Sequence, residues 1–206
     1  MWKIICDIFF LGDKMAKLYF RYGAMNSGKT TLLLQTAYNY EEKGMKIILI
    51  KPQTDTKGGN KIVSRLGVNR KVDIVLPQNK TVMESIKEPI KPNAIIVDEA
   101  QFLTPKQVDE LYEISKVFDI PVLTYGLRCD FQMKGFPGAT RLLEIADDIS
   151  ELKTICDCGK KATQNLRLIN NEPVFTGNQV SIDGADNTVE YKSVCGKCYL
   201  KLKNKN

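Results

Sequence analysis

Eight consecutive residues constrain this chain more than any others: Gly23-Ala24-Met25-Asn26-Ser27-Gly28-Lys29-Thr30. They fit G-x-x-x-x-G-K-[ST], a loop whose glycines let the backbone curl until successive N–H groups face phosphate oxygens. The apolar-rich run Leu18-Tyr19-Phe20-Arg21-Tyr22 leads straight into the loop, and a long helical pattern leaves it. Strand, loop, helix is the context the pattern needs, and the helix N-terminus adds partial positive charge where an anion would sit. Lys29 is placed to reach terminal phosphates and Thr30 to ligate Mg²⁺.

The chain beyond the loop keeps alternating. Residues 29–43 read as a helix stopped by Gly44. Ile47-Ile48-Leu49-Ile50 and Ala94-Ile95-Ile96-Val97 are continuous apolar runs, the pattern of parallel strands buried on both faces. Residues 52–70 are polar and glycine-rich and read as one long loop, 72–76 as a strand and 81–87 as a short helix. Thr104-Pro105-Lys106-Gln107 carries the cap, first-position proline and third-position glutamine of a helix start. That helix runs to about Phe118, with Val108, Leu111, Tyr112 and Phe118 on its apolar face. Residues 121–125 read as the next strand, 126–138 as a loop, 141–146 as a short helix and 149–155 as a last strand. The prediction is an α/β fold: a P-loop (RecA-like) parallel sheet flanked by helices over 16–154. From Cys156 turn residues dominate, so a small C-terminal unit is expected over 155–200, with a basic tail at 201–206.

Composition narrows the chemistry. The 206 residues contain no histidine, so any general base must be a carboxylate or something rarer. The formal net charge of +6 suits phosphate ligands or nucleic acid, although part of the excess sits in the solvated 201–205 segment. No apolar run approaches the ~20 residues of a membrane span. The apolar start of the chain lacks a basic lead-in and a small-residue cleavage site and is interrupted by Asp7, so a cytoplasmic protein is expected. Residues 1–15 form an extension that the first strand does not need. Leu11-Gly12-Asp13-Lys14 is compatible with a ribosome-binding sequence before Met15, which makes Met15 a candidate start. The alternative is a hydrophobic arm that packs on a neighbour.

Two further constellations carry chemistry. The run 94–97 ends in Asp98-Glu99, the carboxylate pair expected at the end of a strand facing a phosphate loop. Asp98 is the candidate Mg²⁺ holder, and Glu99 the candidate base for an attacking hydroxyl or water. Cys156-x-Cys158 and Cys195-x-x-Cys198, with 36 residues between the pairs, fit four thiolates around one structural Zn²⁺. Two disulfides are the alternative, disfavoured in a reducing compartment. Residues 170–190, rich in Gly, Asn and Asp, would be pinned at both ends by that site and make a backbone lid; otherwise they are a surface hairpin.

Several stretches together resemble the type II (cytosolic, zinc-containing) thymidine kinases, in their bacterial branch. They are 24–30, Ser64-Arg65-Leu66-Gly67, Asp98-Glu99-Ala100-Gln101-Phe102, Tyr125-Gly126-Leu127-Arg128-Cys129-Asp130-Phe131, 152–159 and 191–195, in order over 16 to about 200. The resemblance implies transfer of the ATP γ-phosphate to the 5′-hydroxyl of thymidine, for pyrimidine salvage, by a homotetramer. It implies ATP and Mg²⁺ contacts from 23–30 and from Asp98, Glu99, Ala100 and Gln101, with Glu99 taking the hydroxyl proton. Met25, Phe102 and Leu127 match positions lining a thymine pocket; their plain alternative is core packing. Tyr191 matches the tyrosine of the lasso loop between the cysteine pairs, and Arg167 a basic position near the phosphates. Two residues depart from common family patterns: Lys57, where many members have arginine, and Cys198, where some have histidine.

The rival function is a nucleic-acid-binding ATPase, since Asp98-Glu99-Ala100-Gln101 also resembles a helicase motif. Such a motor needs a second motor domain, and the aromatic-plus-basic stripe of a strand-binding surface is missing. No nucleic-acid or membrane partner is therefore expected.

Overall fold

The computed structural model describes residues 15–55, 59–64, 67–86, 91–179 and 188–205. Residues 1–14 of the N-terminal extension, Lys57, Arg65, Leu66 and 180–187 of the lasso lie outside the described residues.

In chain order the first part comprises β1 (Leu18–Tyr22), α1 (Lys29–Glu42), β2 (Ile47–Pro52), β3 (Lys61–Val63), β4 (Asn69–Lys71) and β5 (Ile74–Leu76). Next come α2 (Val82–Ser85), β6 (Ala94–Val97), α3 (Pro105–Val117), β7 (Val122–Gly126), α4 (Pro137–Ile145) and β8 (Asp148–Glu151). Six strands form one parallel sheet in the order β5-β2-β6-β7-β1-β8. Its central strands bury side chains on both faces, as their unbroken apolar runs require. On β6, Ile95 and Val97 join one apolar cluster with α3 and α4. Ala94 and Ile96 join the opposite cluster with Leu33, Leu34 and Ala37 of α1.

The α3 start forms as its sequence dictates. Thr104 Oγ1 accepts the Gln107 N–H at 3.2 Å, and Gln107 Oε1 accepts the Thr104 N–H at 3.0 Å. Gln107 Nε2 also donates to the carbonyls of Pro77 and Lys80, both at 2.8 Å, which ties the turn after β5 to this helix.

Three local readings change. Residues 52–70 are not one open loop: the β3–β4 hairpin folds there and buries Ile62 in the α1-side cluster. Three-residue strands are too short to leave a periodic signal. The helix expected at 141–146 begins at Pro137, because proline fits the first helical turn, where its missing N–H costs nothing. The strand expected at 149–155 divides after Glu151, where the chain leaves the sheet.

The C-terminal part adds β9 (Thr154–Ile155), β10 (Lys161–Ala162), β11 (Gln164–Ile169), β12 (Glu172–Val174), β13 (Val189–Val194) and α5 (Gly196–Lys203). β9 and β10 pair antiparallel, and β12-β11-β13 form a three-stranded antiparallel sheet. Its own small core contains Leu166, Leu168, Val194, Tyr199 and Cys195. The expected basic tail is helical through Lys203. No helix among the described residues is long and apolar enough to cross a membrane.

Asp147 fastens the sheet to α3. One carboxylate oxygen accepts the Leu18 N–H at 2.7 Å and Lys116 Nζ at 2.6 Å. Burial raises this carboxyl, but the bonds from Lys116 and Leu18 outweigh it and hold the group below the usual carboxylate range. A lowered carboxyl stabilises the fold above about pH 4, and the contribution fades as pH falls and the group protonates. Asp147→Ala is expected to lower unfolding free energy at pH 7 by about 1–2 kcal/mol, read by urea titration. The gap from the parent protein should narrow at pH 2.5.

Candidate functional site

Residues 23–28 join the C-terminal end of β1 to α1. Asn26 (φ 64°) and Gly28 (φ 77°) both take left-handed backbone, which closes the curl. The curl wraps its own lysine. Lys29 Nζ donates to the carbonyls of Gly23 and Ala24 at 3.2 and 2.8 Å and lies within 3.4 Å of Ser27 Oγ. Lys29 is buried, so the cation stands inside the loop rather than in solvent.

Asp98 comes directly after β6 and is 5% exposed. Burial pushes its carboxyl up to about 8, with the charges of Glu99 and Asp55 adding to the effect. A cation seated there would reverse that shift. Glu99 adopts left-handed backbone (φ 48°, ψ 40°), strain of the kind a bulky residue keeps only where its surroundings hold it. The holder is Gln101, which is almost fully buried. Its Nε2 donates to Glu99 Oε2 at 2.5 Å, and its Oε1 accepts the Leu127 N–H at 3.0 Å. One amide therefore orients the candidate base and fixes the chain leaving β7.

A cavity of about 590 Å³ is lined by residues 25–32 together with Lys51, Asp55, Asp98, Glu99 and Leu127. The phosphate loop and both acids thus face one space, although about 70 residues separate them in sequence. Lys51 and Asp55 pair at 2.8 Å in its wall.

The four C-terminal cysteines converge. Their sulfurs all lie within 4.8 Å of one another, with Cys158 and Cys195 at 3.6 Å, and none is in a disulfide. Sulfurs on one tetrahedral zinc stand roughly 3.8 Å apart, for Zn–S near 2.3 Å. Cys195 caps α5 and accepts the Cys198 N–H, which brings its thiol down to about 7. Cys198 is pushed up to about 12 by hydrogen bonding with Cys158, Cys195 and Cys156. Cys156 is lowered as well, through backbone hydrogen bonds at Cys158 and Cys195, so two sulfurs lean toward the anionic form that a metal ligand needs.

The thymidine kinase family model matches residues 16–199. A Rhodopirellula baltica protein named thymidine kinase is 45% identical over 185 residues, covering 88% of this chain and 86% of its own. The Escherichia coli K12 thymidine kinase is 45% identical over 190 residues, covering 90% and 91%. That of Legionella pneumophila strain Lens is 46% identical over 180 residues, covering 85% and 86%. The chain belongs to the thymidine kinase family.

In this thymidine kinase family member, Met25 and Leu127 line the cavity and also pack on the apolar cluster beneath it. Phe102 packs on the same cluster, edge-on to Phe136 at 5.5 Å, and does not line the cavity. Ala100 is wholly buried. Tyr191, partly buried, stands opposite Arg167 across β13 and β11. Arg167 is not among the residues that line the cavity. Its guanidinium lies 3.6 Å from the Phe131 ring centre, and its terminal nitrogens donate to the carbonyls of Asn178 and Thr176 at 2.9 and 2.7 Å. Burial beneath the lasso leaves it those carbonyls as partners, so it holds the lasso's first limb.

Sequence reading missed Lys51, Asn165 and Ser193. Lys51 had a signal: a lysine that ends an otherwise apolar strand on the loop edge of the sheet. Asn165 and Ser193 had none, since they act through the fold on the backbone of Met25.

Gly126, at the end of β7, presses against the turn that follows β6. A Cβ there would lie 2.6 Å from Gln101 Oε1. Gly126→Ala is expected to displace that amide, cost about 1–3 kcal/mol of stability and lower phosphate transfer by more than the lost folded fraction. Urea titration beside a turnover assay checks both.

Proposed function

We propose that this protein transfers the γ-phosphate of ATP to the 5′-hydroxyl of thymidine, giving dTMP and ADP. The observation that carries the reading is the shared cavity: the Lys29 loop, Asp98 and Glu99 line one space with Met25 and Leu127. The family membership supports thymidine as acceptor.

The ATP phosphates lie along 23–30, with backbone N–H groups and Lys29 facing their oxygens. Thr30 and Asp98 are the residues that would hold Mg²⁺; the buried Asp98 carboxyl and the hydroxyl at the loop's end are a hard-oxygen donor set suited to it. Bound there, the ion neutralises charge on the phosphates. Glu99, oriented by Gln101, accepts the 5′-hydroxyl proton as the oxygen bonds to the γ-phosphorus and the bond to the ADP oxygen breaks. Met25 and Leu127 offer the apolar wall for the thymine. Cys156, Cys158, Cys195 and Cys198 would hold one structural Zn²⁺ beneath the lasso, since four sulfurs leave no open position for chemistry.

Radiolabelled ATP should label thymidine, and Glu99→Gln should cut turnover by ~10² or more while ATP binding is kept. Unlabelled thymidine together with ATP hydrolysis stimulated by single-stranded DNA would refute the kinase reading. Atomic absorption is expected to find about one zinc per chain. Cys195→Ser should lose most of that metal and lower the melting temperature, because binding to such a site is folding free energy.

A further inference from the structure

We propose that Lys51 is a positioning residue for the donor nucleotide: its buried ammonium ties the β3–β4 hairpin to the end of β2 and so holds one wall of the cavity that the phosphate loop lines. This role rests on the nucleotide-binding half of the function proposed above.

A lysine is costly at the end of β2 unless something there needs it. Side chains of this strand alternate between faces, with Leu49 in the α1-side cluster and Ile50 in the opposite one. Lys51 therefore shares the face of Leu49, where Ile62 of the hairpin also packs. Its side chain is 1% exposed, and a cation withdrawn from water that far is kept only with bonding partners. Those partners bracket the entry to the hairpin. Asp55 Oδ2 lies 2.8 Å from Nζ, and the carbonyls of Gly59 and Lys61 accept from it at 3.2 and 3.5 Å.

The hairpin needs such a tether. Its strands have three residues each, and a two-stranded unit of that size is marginal by itself. Ile62 and Val72 seat it in the apolar cluster, and Arg70 forks onto Glu41 of α1 at 2.6 and 2.7 Å. Arg70 and Glu41 do not line the cavity, whereas Lys51 does.

The hairpin offers Lys61, Ile62 and Val63 to that cavity, and α1 offers Thr31, Leu32 and Gln35. A nucleotide whose phosphates lie along 23–30 has the rest of its length to place in the same space. Time that the hairpin spends off its seat lowers the apparent nucleotide affinity in proportion. The residue type matters as well. An ammonium directs its donors apart, toward a carboxylate and two carbonyls at once, while a guanidinium is larger and spreads its donors in one plane.

The test is calorimetry of Mg–ADP binding, with steady-state kinetics and hydrogen exchange, on the parent protein and on Lys51→Met, Lys51→Arg and Arg70→Ala. Lys51→Met should weaken Mg–ADP by about 10-fold, as for a hairpin seated about a tenth of the time. KM for ATP should rise to match, with kcat and KM for thymidine changed by less than about 3-fold. Amides of β3 and β4 should exchange about 10-fold faster while those of β6 and β7 keep their rates. A general loss of stability would speed both sets and lower kcat instead of raising one KM. Arg70→Ala should weaken Mg–ADP by about 2–3-fold, in keeping with a largely exposed pair. Unchanged Mg–ADP affinity in Lys51→Met overturns the proposal, and so does full recovery in Lys51→Arg, which would make charge alone the cause. Should Lys51→Met fail to fold, Arg70→Ala decides, and unaltered affinity there overturns the role of the hairpin and of its tether. If the parent protein binds Mg–ADP but does not phosphorylate thymidine, the thymidine reading fails while the part played by Lys51 is still read from Mg–ADP.

Discussion

The central strands β6 and β7 are buried on both faces, so their backbone N–H and C=O groups have only neighbouring strands, β1 among them, to pair with. In a parallel sheet that pairing aligns all the strand ends. Tyr22, Val97 and Gly126 therefore finish along one edge, and the segments leaving these three residues enter the same space. After β1 comes the phosphate loop, after β6 Asp98 and Glu99, and after β7 Leu127. The site is a consequence of where two-sided burial lets the chain emerge.

That edge also sets the electrostatics. Lys29 is wrapped in carbonyls of its own loop, and Asp98 is buried hard enough that its carboxyl is pushed up to about 8. Glu99 keeps an unfavourable backbone conformation beside them because Gln101 and the close approach of Gly126 leave little room to relax.

The C-terminal part solves a different problem. Its apolar core is small, centred on Leu166, Leu168, Val194 and Tyr199. Small units of this kind commonly need a staple, and four converging sulfurs offer one. From that base Arg167 reaches the lasso and Asn165 reaches the phosphate loop. The buried Arg167 guanidinium sits where an aromatic face and two carbonyls are offered, those of Phe131, Asn178 and Thr176.

The sequence by itself determined what depends on neighbours along the chain. The curl at 23–30, the helix start at Thr104, the two-faced strands and the carboxylates after Val97 are written in contiguous residues, because backbone conformation and burial periodicity are local. The two close cysteine pairs were legible for the same reason. The β3–β4 hairpin, the β11–β13 sheet and the helix that absorbs the basic end were not, since short strands carry almost no periodic signal and their stability comes from distant packing. Only the tertiary structure decided that Asn165 and Ser193 grip Met25, that Gln101 steers Glu99, and that Lys51 stands in the cavity wall. Such contacts join residues that the chain keeps far apart. Their partners are fixed by which strands lie side by side, and no local pattern encodes that.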